Sequence, residues 1–461
     1  MRSQNAYAVS ETNVPLFFDH NSYIDYCLEL AIEKLVSYDT IADLTKDLSS
    51  INAYENIDFL EEPKKESLLD LSDLTSRDYN RAFQCILDGK LFSEHAAAGE
   101  ATRLGLGTKY LINIKQDLSL DKISELMSCE MGLPVSRKDI LEYAGCHPEN
   151  LLPLSVGVRH MLQFSYDIVK LAKFWGYDPK EVLSKQRMLI VLNEETASII
   201  IEEFIKNRFY GFMRKNVLFM IQEAYHGICL DGDEVVYDRL SPRRLHNHGH
   251  IAIQQTMPNQ VFRIDGYGNK VFLSSCEFGE IYKQMDDKIS YNIEDLGYFI
   301  GSIDYQGLAM ALKKGAEGCR MLMEVVQNNS SASQKGGMAA FDRCLGKNVM
   351  IESFQLKGID NHNISFLNKN INHYPEPHEA WLMVKKYGLK MPVAVKDGYI
   401  YFQPVQGDIN FLVNTAFFMR KNHNPIKAWK SSSTTPLAIK YMHMQDCQHG
   451  FREYSEYLLE G

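Results

Sequence analysis

Ala96-Ala97-Ala98-Gly99-Glu100-Ala101-Thr102-Arg103-Leu104-Gly105-Leu106-Gly107-Thr108-Lys109 is the stretch on which the reading of this chain turns. Phosphates are best held by backbone N–H groups that converge in a tight turn. A Cβ in such a turn blocks close approach, and here Ala96, Ala97, Ala98, Gly99, Ala101, Gly105 and Gly107 keep the segment small. Arg103 and Lys109 add positive charge. A guanidinium grips phosphate through two parallel hydrogen bonds, and an ammonium acts as a mobile point charge. Taken alone, the segment equally suits a Gly/Ala surface turn with two solvated cations. It has neither the G-x-x-x-x-G-K-[ST] spacing nor G-x-G-x-x-G, so the two common phosphate loops are excluded.

The pattern differs on either side of this stretch. Upstream, Tyr23, Tyr26, Cys27, Leu30, Ile32 and Leu35 recur at helical spacing. Residues 61–66 form a charged connector, and 79–87 are again amphipathic. Downstream, Met188-Leu189-Ile190-Val191-Leu192 is a short continuous apolar run, the mark of a buried parallel strand. Val217-Leu218-Phe219-Met220-Ile221 and Val271-Phe272-Leu273 are two more. Asn193 is placed to cap a helix with Glu194 and Glu195 in its first turn. Strands alternating with helices predict an α/β fold with a Rossmann-like, mainly parallel sheet. Ser93-Glu94-His95 is polar for a strand that should be central. Toward the end, Tyr399-Ile400-Tyr401-Phe402 reads as a strand and 410–420 as a helix. The expected organisation is an N-terminal helical region over 1–90, a catalytic domain over 91–384 and a small mixed segment over 385–461.

The 461 residues exceed one ordinary domain, and the composition, 45% hydrophobic and 23% charged, is that of a soluble globular protein. The formal net charge of -10 argues against a nucleic-acid binder, which would carry a basic face. The nine cysteines contain no C-x-x-C pair and read as free thiols of a reducing compartment. No signal core and no apolar run near the ~20 residues of a membrane span appear, so a cytoplasmic location is expected.

Several short motifs, taken in order, give the fold a function. Ala98-Gly99-Glu100-Ala101-Thr102-Arg103-Leu104-Gly105, with Lys109 close behind, resembles the G-G-x-G-T-R-L-G loop and following Pro-Lys of the UDP-sugar pyrophosphorylases. That family includes the UDP-glucose and UDP-N-acetylglucosamine enzymes. Leu152-Pro153-Leu154 resembles its segment before the second strand, and Leu192-Asn193-Glu194-Glu195-Thr196 its strand end. Phe209-Tyr210-Gly211-Phe212 resembles its aromatic-Gly turn, and Phe219-Met220-Ile221-Gln222 a strand ending in a base-reading Gln. Asn247-His248-Gly249-His250 resembles G-H-G-D, and Leu273-Ser274-Ser275-Cys276-Glu277 a strand ending in a metal-binding Asp. Lys335-Gly336-Gly337 with Glu352 resembles a K-G-G…E sugar pair, Phe366-Leu367-Asn368-Lys369-Asn370 resembles F-x-N-x-N, and Asn424-Pro425-Ile426-Lys427 the late P-V-K. The ordered set spans about 91–430.

The resemblance implies a uridylyltransferase that makes a UDP-sugar and pyrophosphate from UTP and a sugar 1-phosphate, using Mg²⁺. It implies Arg103 on the β/γ-phosphates, Lys109 on the α-phosphate and Lys427 on the sugar phosphate. Ala98, Gly99 and Glu100 would line the nucleotide, Gln222 would read uracil, and Gly249 would let the backbone approach the base. His248, Gly337, Glu352 and Asn368 would bind the sugar or its phosphate, and Glu277 the metal. Ala98 and Ala101 replace glycines, the Pro before Lys109 is missing, Glu277 replaces Asp, and Asn247 and His250 replace Gly and Asp. Those departures leave two other classes open: a non-catalytic nucleotide-sugar binder, and a glycosyltransferase that consumes a UDP-sugar. His246, His248 and His250 would share one strand face as zinc ligands could, but there is no H-E-x-x-H and the turn already matches a substrate loop, so zinc is not expected; no G-x-S-x-G elbow supports a hydrolase.

Overall fold

The computed structural model describes residues 17, 19–64, 68–99, 106–293, 295–328, 336–420 and 429–460. Its centre is one twisted mixed sheet. In chain order the strands are β1 Leu68–Asp70, β2 Leu91–Ala96, β3 Arg187–Leu192, β4 Val217–Ile221, β5 Val261–Ile264, β6 Lys270–Phe272, β7 Asp287–Asn292, β8 Met321–Gln327, β9 Met338–Asp342, β10 Lys347–Ile351, β11 Phe366–Pro375 and β12 Thr415–Met419. They lie in the order β6-β5-β4-β3-β2-β7-β11-β8-β12-β1, with the β9–β10 hairpin attached to β11.

Strands β4, β3, β2 and β7 are mutually parallel. Five fully buried apolar residues, Met188 to Leu192, make β3 one of the inner strands. Each buried residue of this size stabilises the sheet by about 1.5–3 kcal/mol. The flanks are antiparallel: β5 and β6 form a hairpin against β4, and β11 runs against both β7 and β8. The expected third buried strand, Val271-Phe272-Leu273, is therefore an edge, with Val271 and Phe272 largely exposed.

Helices cover both faces. On one lie α2 Ser76–Leu87, α3 Val156–Phe174, α4 Ala197–Lys206 and α7 Tyr305–Gly315; on the other, α5 Gly249–Gln254, α6 Ser275–Lys283 and α8 Pro377–Tyr387. The α3 helix is buried nearly all round, as a helix must be when a second layer covers it. That layer is α9 Thr435–Asp446 and α10 Phe451–Glu460. Arg159 of α3 meets Asp446 of α9 at 2.6 Å with both side chains buried, and also donates to Gln445 and to the Leu152 carbonyl.

Several expectations change. The helix expected over 410–420 is a short turn, Ile409–Leu412, followed by β12. The helix after β3 begins at Ala197; Asn193 instead accepts from the N–H and hydroxyl of Thr196 at 2.8 and 2.6 Å. Phe209-Tyr210-Gly211 is a left-handed turn whose aromatics are buried against Phe204 of α4. The boundaries at 90 and 384 do not separate layers. Strand β12 of the last segment pairs with β1 of the first inside the main sheet, and α8 crosses 384. The N-terminal helix α1, His20–Leu35, packs on a four-stranded sheet formed by Ile228–Asp231, Glu234–Tyr237, Val393–Lys396 and Tyr399–Phe402. All nine cysteines are free. Among the described residues no helix is long and apolar enough to cross a membrane.

Candidate functional site

The chain leaves β2, returns beside it as β3, continues to β4, and later comes back on its other side as β7. Neighbouring connections diverge above the C-terminal end of β2, and open α/β sheets bind ligands in such a crevice. The small-residue segment begins there. Ala97 N–H donates to the Val191 carbonyl at 2.8 Å. The Asn193 amide donates to the Ala98 carbonyl at 3.3 Å and to Thr108 Oγ1 at 3.2 Å, and Lys109 N–H donates to the Gly99 carbonyl at 3.2 Å. The base of the loop is thus tied from both ends. The Ala98 methyl packs in the core beside Val191 and Met220, so this replacement of glycine adds nothing above the loop. Around Gly99, no described atom lies within 4 Å of where a Cβ would stand. Lys109 is mostly buried at the start of a short 3-10 turn. Arg103, Glu100, Lys335 and Lys427 lie outside the described residues.

One strand over, Gln222 N–H donates to the Leu192 carbonyl at 2.8 Å, which extends β4 to this buried glutamine. Its side-chain amide donates to the Asn247 carbonyl at 2.9 Å. Asn247 adopts a left-handed φ of 54°, a conformation open to Asn more than to most residues. Gly249 is required here for a reason other than a base: its N–H bonds the Pro404 carbonyl at 2.9 Å, and an added Cβ would lie 2.3 Å from the Pro404 carbonyl carbon. His248 accepts at Nδ1 from the N–H of Gln406, 3.1 Å away. Its ring is accessible, yet the protein around it lowers its pKa by desolvation.

The loop 404–408 then leads to a second cluster. A Cβ on Gly407 would stand 3.9 Å from Glu352 Oε1, and one on Gly337 would stand 3.6 Å from Glu352 Oε2. Asn368 N–H donates to the Gly337 carbonyl at 2.9 Å. Gly337, Glu352 and Asn368 are therefore gathered at the junction of β9, β10 and β11, and burial raises the Glu352 carboxyl. Beside them Asp408 is only 1% exposed; among the described residues neither of its carboxylate oxygens has a hydrogen-bond partner, and burial pushes it up to about 8. The loop 404–408 went unnoticed in the sequence, where its only signal is a Pro/Gly/Asp turn after a strand.

One assignment is corrected. Glu277 is not at a strand end. It is the third residue of α6, where Oε2 accepts from the N–H and hydroxyl of Ser274, both at 2.8 Å, in a capping box beyond the edge strand β6. Among the described residues the carboxylate just beyond the end of β7, next to β2, is Asp295, which accepts from the N–H of Gly297. Nor are the three histidines a metal set. His246 pairs with Tyr23 of α1 and His250 with Tyr225, each at 2.9 Å, whereas His248 faces Gln406. Burial pushes His246 down to about 3 and lowers His250 as well. Among the described residues no group of three metal-binding side chains occurs.

The polar centre of β2 also has an explanation. Glu94 is buried and bonded to Lys288 Nζ at 2.9 Å, to the Gln255 amide at 2.5 Å, to the Ser290 hydroxyl at 2.8 Å and to the Gln406 amide at 3.1 Å. Burial alone would raise its pKa; Lys288 and these donors together lower it. His95 points to the other face, stacks on Tyr291, and is held neutral by burial at about 3.

No family model and no curated protein matches the chain. Among solved structures, a UDP-N-acetylglucosamine pyrophosphorylase from Trypanosoma brucei, determined with an inhibitor, superposes with a TM-score of 0.56 over 90% of this chain and 84% of its own, at 12% identity. Two variants of UDP-glucose pyrophosphorylase from Leishmania major give TM-scores of 0.54 and 0.53, at 15% and 14% identity, over 90% of this chain and 78% of theirs. The chain has the fold of the UDP-sugar pyrophosphorylases. That fold was implied by the ordered motifs, although hardly one residue in seven is shared.

Proposed function

We propose that the chain is a nucleotidyltransferase that joins UTP, entering as its magnesium complex, to a sugar 1-phosphate and releases pyrophosphate. One observation supports this above all. A line of hydrogen bonds runs from the loop at Ala98 and Gly99 through Asn193, the adjoining Leu192–Gln222 bond, Asn247, His248 and Gln406, and the next residue, Gly407, lies close to the cluster of Glu352, Gly337 and Asn368. This continuity from the small-residue loop to the Glu352 cluster supports a nucleotide at one end and a sugar at the other.

The reaction needs little else. An oxygen of the sugar phosphate attacks the α-phosphorus of UTP, a new P–O bond forms, and the bond to pyrophosphate breaks. The nucleophile is already an anion, so positioning and charge stabilisation carry the catalysis. Two unit charges ~4 Å apart repel by about 1 kcal/mol in water and about 4 at an effective dielectric of 20. Lys109, and by resemblance Arg103 and Lys427, would offset that repulsion. Gln222 spends one amide hydrogen on Asn247; the amide still has a second hydrogen and an oxygen with which to read the edge of uracil. Glu352 and Asn368 would take sugar hydroxyls. Glu277 is engaged in a capping box and does not fit a metal site, so the divalent cation would enter as part of the nucleotide substrate.

Incubation with UTP, Mg²⁺ and a panel of sugar 1-phosphates should release pyrophosphate with at least one of them. Binding of UTP without turnover would favour a regulatory binder. Release of UDP from a UDP-sugar without pyrophosphate chemistry would favour a glycosyltransferase.

A further inference from the structure

Glu94 and Lys288 form an ion pair beneath the crevice, in a position where packing alone asks for apolar side chains. A buried pair of this kind is a poor source of stability, and the transfer reaction gives it no task. The outlet is Gln406. Its side-chain amide donates to Glu94 Oε1 at 3.1 Å and lies 3.3 Å from the Ser290 hydroxyl, while its main-chain N–H donates to His248 Nδ1 at 3.1 Å. An imidazole nitrogen that accepts a hydrogen bond carries no proton, so the neutral ring must carry its proton on Nε2. The main-chain N–H of the residue whose side chain is fixed in the sheet therefore decides which edge of His248 is a donor.

We infer that Gln406 is a positioning residue: anchored on Glu94 and Ser290, it holds His248 as the Nε2–H tautomer, so that the ring offers an uncharged hydrogen-bond donor to a phosphate oxygen of the sugar 1-phosphate. This role rests on the proposed transferase reading, and it differs from that of the lysine and arginine cations. A neutral donor orients the attacking phosphate without lowering the charge on its nucleophilic oxygen. Desolvation of the ring by its surroundings acts in the same direction, since it disfavours the doubly protonated form.

The test combines ring-nitrogen NMR with steady-state kinetics on the full chain. The chain has 14 histidines, so His248 is assigned by the signals lost in His248→Gln. Gln406→Pro removes the N–H, and the site tolerates proline: Gln406 opens a 3-10 turn and Val405 is extended at φ -114°, ψ 132°. Gln406→Ala keeps the N–H but frees it from Glu94. Wild-type His248 is expected to show a protonated Nε2 and a bare Nδ1. In Gln406→Pro the ring should populate the other tautomer, and KM for the sugar 1-phosphate should rise about fivefold or more with a smaller change in kcat; Gln406→Ala should lie between. A wild-type ring protonated at Nδ1 would overturn the inference, as would wild-type signals and KM in Gln406→Pro. Should the proline variant unfold, wild-type signals and KM in Gln406→Ala overturn it instead. If no sugar 1-phosphate is turned over, the transferase reading fails, and the nitrogen signals still decide the tautomer.

Discussion

Asp408→Asn should make the protein more stable, and increasingly so as the pH rises. Asp408 is 1% exposed, neither oxygen has a hydrogen-bond partner among the described residues, and burial pushes its carboxyl up to about 8 from an ordinary 3.8. A carboxyl raised in the folded state keeps its proton there after the unfolded chain has lost its own. Its contribution is fully present below pH ~4 and is lost as the pH rises toward ~8. Each pH unit in that window costs about 1.4 kcal/mol, so the loss at pH 7 is on the order of 4 kcal/mol. Asparagine has the same shape and no charge, and so escapes this term. It still brings polar atoms to a place without partners, a penalty of about 1–3 kcal/mol. The net gain at pH 7 is therefore about 1–3 kcal/mol, shrinking to nothing or reversing near pH 4. A chain this long has a melting entropy near 1 kcal/mol per degree, so each kcal/mol moves Tm by about 1 °C. Melting both proteins from pH 5 to pH 8 should show their Tm values diverging by about 1–1.5 °C per pH unit. A Tm difference that stays constant over this range would mean that Asp408 is ionised when folded and has a counter-charge, and the argument would fail.

Lys109→Ala should cut pyrophosphate release by about two orders of magnitude, the usual effect of losing one electrostatic contact at a transferring group; an unchanged rate would remove Lys109 from the site. Arg159→Met should cost about 3–5 kcal/mol by leaving Asp446 buried and unpaired, seen as a lower urea midpoint, and adding Asp446→Leu should restore part of it. Gly249→Ala should destabilise by about 1–3 kcal/mol through the clash with Pro404, and raise KM for the nucleotide by displacing the Asn247 turn; a neutral variant would show that the 404–405 backbone yields freely. Glu277→Gln should leave the magnesium dependence of turnover untouched, and a higher magnesium requirement would return this carboxylate to the site.

What was legible in the sequence was local. The runs at Met188–Leu192 and Val217–Ile221 are apolar on both faces because the strands are covered on both, and no other arrangement suits them. The small-residue loop was recognisable because its composition answers one steric demand. Less local features were misread. The apolar residues around 409–418 have no decisive period, and the sheet, not propensity, makes Thr415–Met419 a strand. Glu277 was placed by the string around it, but only the order of strands reveals that β7, not β6, adjoins β2. Glu94 looked misplaced in a central strand because one of its partners, Gln406, is 312 residues away along the chain.

The contacts of α1 give the N-terminal helix more than a packing role. Around the Asn247 turn the chain alternates: Gln222 bonds Asn247 and His248 and Gly249 bond the 404–406 loop, while Glu223 and His246 bond to His20 and Tyr23 of the helix. The turn is a shared wall, so whatever grips one side must also tighten the other. Nucleotide bound at the turn would then shield the exposed end of α1 at Val36 from a protease. Trimming the chain back to where the sheet begins would remove half of that wall.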